Sequence, residues 1–193
     1  MIIKEILYYS LFLKMEQWEK DFYGEKMIHV FNYETHSLVR KHNVKYQFSH
    51  PNQWISCGVA WDAMFWRFRS MVESGNYSIE SIVKSTAPNF EERYLQERNI
   101  FEFFSNALST IEIAFYSLYC MASMKNSNFK FESEKTLRNI NPRCVIDLFK
   151  SNFNSNSLTK LLEEICEDQN YLKIKEFRDF FFSQRYNEPQ SLY

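Results

Sequence analysis

The chain has 193 residues and a net charge of −1 from 23 basic and 24 acidic residues, which favours one domain and leaves no global basic field to attract nucleic acid. Glycine occurs only 3 times, against roughly 13 at average usage, while aromatic residues reach 18%. No Gly-x-Gly-x-x-Gly, Walker-type or Gly-x-Ser-x-Gly motif can be written, and too few turn residues remain for an all-β sandwich, so the expected class is all-α.

Residues 2–22 read as a first helix, with Ile6, Tyr9, Leu13, Trp18 and Phe22 inward. The apolar run Ile6–Leu13 follows Lys4 and Glu5, precedes no small-residue cleavage site and is too short to cross a bilayer. Residues 27–50 mix β-branched, aromatic, His and Asn residues and fit a short hairpin or a second helix. From Pro51 to about Ser74, Trp54, Trp61, Phe65, Phe68 and Val72 recur at 7, 4, 3 and 4, and Gly75-Asn76 is expected to end that helix.

The strongest periodicity lies in 90–124. Ile100, Phe104, Ala107, Ile111, Ala114, Leu118 and Met121 form one row, with Phe101, Leu108, Phe115 and Ala122 beside it. The spacing predicts one long central helix of about 30 residues, roughly 45 Å, with Thr86 and Asn89 as candidate caps. A membrane span is disfavoured by Glu102 and Glu112 inside it, because a carboxylate at mid-bilayer costs about 3 kcal/mol. Residues 125–141 read as a polar connector, and a short helix follows from Pro142. A loop rich in Asn and Ser leads to a helix marked by Leu158, Leu161, Leu162 and Ile165. The last helix runs from about Gln169 to Tyr186. The whole reads as a single domain over 1–193, with a helical part at 1–88 and a core at 89–186.

Cys57, Cys120, Cys144 and Cys166 form no CxxC, and three sit in apolar runs, which suits reduced thiols and a cytoplasmic protein. His29, His36, His42 and His50 match no zinc spacing, and neither HExxH nor ExxH occurs, so no metal and no cofactor is expected. The charges of EERYLQER, residues 91–98, read as solvated helix pairs. The aromatics from Trp54 to Phe68, with Arg67 and Arg69, read as core rather than as a surface for stacking bases.

The C-terminal segment is more specific. On a helix, Tyr171, Ile174, Arg178, Phe181 and Arg185 share one stripe at 3, 4, 3 and 4. Two arginines on such a stripe need carboxylates, carbonyls or a phosphate as partners. Either Arg178 pairs with an acid such as Glu163 or Glu164, or Arg178 and Arg185 form an anion site.

Here the chain resembles the HEPN superfamily of helical domains. That family carries an Arg, a polar residue, three more residues and then His near the start of its last core helix. The matching positions are Arg178, Asp179, Phe180 to Phe182, and Ser183. EFFSNALSTIEIAFYSLYCMAS resembles the family's long helix, and the likeness covers about residues 90–186. It implies a HEPN-like helical bundle and a homodimer whose two motifs meet in a metal-independent ribonuclease site. Arg178, Asp179 and Ser183 would be its catalytic positions and Arg178 and Arg185 its anion-binding ones. Ser183 departs from the pattern, since a serine hydroxyl cannot act as a general base near neutral pH. The resemblance therefore implies a non-catalytic or weakly active protein that binds RNA, a nucleotide or a partner protein, such as an antitoxin. The alternatives are an active ribonuclease of toxin or defence type, and a helical interaction scaffold with no ligand. No membrane partner is expected.

Overall fold

A computed structural model describes residue 41 and residues 44–84, 87–132, 137–153 and 156–186, with side chains as far as Phe180. The protein is all-α. Among the described residues there are five α-helices and no strand: α1 Pro51–Lys84, α2 Phe90–Ser123, α3 Pro142–Phe153, α4 Ser157–Glu167 and α5 Gln169–Tyr186. The first expected helix, residues 2–22, and Thr86 lie outside the described residues, as does most of 27–50. The described end of that stretch is a 3-10 turn, Val44–Tyr46.

Three asparagines and one aspartate explain where four of the helices start. Asn89, Asn141, Asn156 and Asp168 each stand just before α2, α3, α4 and α5. The Asn89 carboxamide oxygen accepts from the Glu92 amide at 2.9 Å, and the Glu92 carboxylate accepts from the Asn89 amide at 2.9 Å. This reciprocal pair is a capping box. Asn141 caps the Cys144 amide, Asn156 the Leu158 amide, and Asp168 the amides of Asn170 and Tyr171. Each bond satisfies an amide that the first turn of a helix leaves without a partner. Pro51 and Pro142 open α1 and α3, where a missing N–H costs nothing.

Three expectations change. The single long helix has a twin, since α1 and α2 are both 34 residues long. The helix from Pro51 does not stop at Gly75-Asn76 but continues to Lys84. A glycine inside a helix costs only about 1 kcal/mol relative to alanine, and this one is buried, so packing outweighs propensity. Beyond it, Ser78 and Ser81 donate back to the carbonyls of Ser74 and Ser78. The polar connector also contributes to the core, because Phe129 is only 2% exposed.

The residues group into two compact units, and each long helix contributes a part to both. Among the described residues, the first comprises those up to Phe65 and those within Ile111–Cys166. Its core joins Phe115 and Leu118 of α2, Phe129, Val145 and Phe149 of α3, and Leu158, Leu162 and Ile165 of α4. The Phe129 ring meets Tyr119 and Phe149 edge-on at 5.5 and 5.3 Å. Burying one such side chain is worth about 1.5–3 kcal/mol. The second unit comprises Trp66–Thr110 and Glu167 onward. In it Met71, Ala107, Leu108 and Tyr171 are buried, and Phe104 of α2 meets Phe177 of α5 with ring centroids 4.0 Å apart. Among the described residues no helix is long and apolar enough to cross a membrane.

Candidate functional site

The sequence-predicted site lies on α5. Asp168 caps the helix, Tyr171 buries its first turn, and Phe177 fixes its middle against Phe104. Arg178 is the next residue. Its Nε and Nη2 both donate to one oxygen of Asp179, at 3.1 and 3.0 Å. Neighbours one residue apart do not normally face each other on a helix. The arginine side chain is long enough to fold back alongside the axis and reach the carboxylate. The Arg178 side chain is 26% exposed and that of Asp179 54%, so the pair stands at the surface, where such pairs are weak.

Ser183 and Arg185 belong to the last turns of α5, but their side chains lie outside the described residues. The backbone places Arg185 seven residues, about 10.5 Å, along the axis from Arg178. Glu163, one acid expected for Arg178, is engaged by Lys150 at 2.5 Å. The residues of α5 include four basic side chains, Lys173, Lys175, Arg178 and Arg185, against Glu176 and Asp179. Lys173 and Lys175 are exposed.

Other chemistry-bearing groups are arranged differently. Cys57, Cys120 and Met124 form one buried apolar cluster in the first unit, and the Cys57 sulfur lies 3.7 Å from the Ser117 hydroxyl. Burial raises the Cys57 thiol above its ordinary range and pushes Cys120 up to about 12. The Tyr116 phenol beside them is also raised to about 12, mainly by desolvation. These thiols stay protonated at neutral pH, which makes them poor nucleophiles. No group of three or more His, Cys, Asp or Glu able to hold a metal occurs among the described residues. His50 is described, with its Nδ1 2.9 Å from the Ser49 hydroxyl and its ring edge-on to Tyr46. His29, His36 and His42 lie outside the described residues.

Sequence reasoning missed one feature. It reads the aromatics from Trp54 to Phe68 as core, which holds for Trp61 but not for Trp66, 59% exposed. The signal was present: Trp66 falls one position off the row Trp61, Phe65, Phe68 and Val72, between that row and Arg67. Arg67 donates to the Asn106 carboxamide oxygen at 3.0 Å. Asn106 is a buried polar residue beside the apolar rows of α2.

No family model matches the chain, and neither a curated protein nor a solved structure matches it.

Proposed function

We propose that the chain is a HEPN-like protein that binds RNA through Arg178 and Arg185 and does not cleave it. The observation that carries this reading is the Arg178–Asp179 pair: a partly exposed guanidinium engaged by its exposed neighbour on α5. Such a pair is worth at most about 1 kcal/mol, so a phosphate can displace the carboxylate at little cost. The excess of basic over acidic residues on α5 supports the same reading. Absence of cleavage follows from Ser183 in the position where the resembled motif has its general base. The free cysteines fit a reducing, cytoplasmic setting. The resemblance adds a homodimer, which sedimentation would register at about twice 23.4 kDa.

The test is a fluorescence-anisotropy titration with labelled oligoadenylate. Arg178→Gln with Arg185→Gln should weaken binding and flatten its dependence on salt, because fewer counterions are released. The wild-type chain should leave the RNA intact in the presence of a chelator. Unchanged affinity in the double variant would overturn the binding site. Cleavage that Ser183→Ala abolishes would favour the ribonuclease reading instead.

A further inference from the structure

Trp66 is a large apolar side chain left 59% exposed on a helix whose other tryptophans, Trp54 and Trp61, are half-buried and buried. Arg67 and Arg69 lie within three residues of it, with the acidic Asp62 one turn before it. The Arg69 guanidinium carbon stands 5.7 Å from the indole centroid. Arg69 is also held by Glu73, whose carboxylate accepts from Nε at 2.7 Å. Arg67, itself exposed, is tethered by the neutral amide of Asn106, which brings no opposing charge to it.

We infer that Trp66, Arg67 and Arg69 form a stacking platform for a base of single-stranded RNA, with Arg67 meeting the adjoining phosphate. This inference rests on the RNA-binding reading proposed above and adds a second contact to it. The base and the phosphate of a nucleotide each have a counterpart here. The flat base covers the indole face, which stacks on any base because every base has a π-face. The phosphate meets a guanidinium, whose planar fork matches its oxygens. A base entering over the ring takes the place of Arg69, which is then released from the indole and becomes available to a second phosphate. An apolar protein partner suits the patch less well, since covering Trp66 would desolvate Arg67 and the Arg69–Glu73 pair with no anion to meet them.

The experiment is the same oligoadenylate titration on the full chain, run at several salt concentrations. Trp66→Ala should lower affinity by about 5- to 150-fold while leaving the salt slope unchanged, because no cation is lost. Trp66→Tyr, which keeps a π-face, should retain most of the affinity and guards against a folding defect. Arg67→Gln should lower both affinity and the salt slope, the latter by about 0.7. Glu73→Gln should raise affinity and steepen the slope, because Arg69 is no longer held by a carboxylate. Unchanged affinity in Trp66→Ala, with weakened binding in the Arg178 and Arg185 double variant, would overturn the platform and leave the proposed function standing. A wild-type chain that binds no RNA overturns both. A shift in sedimentation of Trp66→Ala without any change in RNA affinity would make Trp66 a protein contact and overturn the platform.

Discussion

Arg178 and Asp179 are joined by two hydrogen bonds that converge on a single carboxylate oxygen, between consecutive residues of one helix. The geometry sets what the pair contributes to stability. With both members partly in water, this pair should account for less than about 1 kcal/mol of the cost of Arg178→Gln in urea denaturation. A loss of about 3–5 kcal/mol would identify Arg178 as half of a buried, structural pair.

Gly58 lies in the interior of α1, and a Cβ built there meets nothing within 4 Å. Gly58→Ala should therefore stabilise the protein by about 0.5–1 kcal/mol, by removing backbone freedom from the unfolded chain and supplying a better helix former. A lower melting temperature for the variant would contradict this.

The capping box at Asn89 makes α2 sensitive to one exposed side chain. Asn89→Ala removes the acceptor for the Glu92 amide and should cost about 1 kcal/mol, whereas Asn89→Ser or Asn89→Asp should restore most of it. Equal destabilisation by all three would show that the side-chain acceptor does not matter.

The raised thiols predict a pH dependence with a definite sign. Cys120 goes from its ordinary 9.0 to about 12 on folding, so the unfolded chain loses this proton first. The stability linked to Cys120 is fully present below pH 9 and declines as pH rises towards 12. Cys57 acts in the same direction. Melting temperatures measured across that window should fall less steeply for Cys120→Ala than for the wild type. Near neutral pH a thiol reagent should modify the half-buried Cys144 and Cys166 before Cys57 and Cys120, which require unfolding. Prompt labelling of all four would refute the buried cluster.

Much of the helix pattern is legible in the sequence because it rests on local chemistry. The 3,4 spacing of Ile100 to Met121 and the cap at Asn89 delimit α2 to within a residue, and Gln169–Tyr186 emerges as expected. Gly75 misleads because its local cost is small and tertiary packing decides. Phe129 misleads because two aromatics, Phe129 and Phe131, in a polar run set no helical period, and only its neighbours in space, Tyr119 and Phe149, show that it belongs to the core. The site is legible in part. The motif points to Arg178 and Asp179, but their mutual bonding depends on a rotamer that spacing does not encode. Trp66 lies one helical step from the row of Trp61, Phe65, Phe68 and Val72, which are buried or half-buried, a shift of about 100° that turns a side chain towards water.

The stretch after α2 carries a consequence for proteolysis. Its composition, with exposed Lys125 and Lys130 among Asn and Ser, resembles a surface loop open to trypsin. Yet the Tyr119 hydroxyl grips the Lys130 carbonyl, and the carboxamides of Asn126 and Asn128 both donate to Asn152 of α3. Between these ties Phe129 is plugged into the core. A protease needs several residues of extended, detachable backbone around the bond it cuts. Here the chain is moored on both sides of its deepest side chain, so these lysines are shielded by anchorage rather than by lack of exposure.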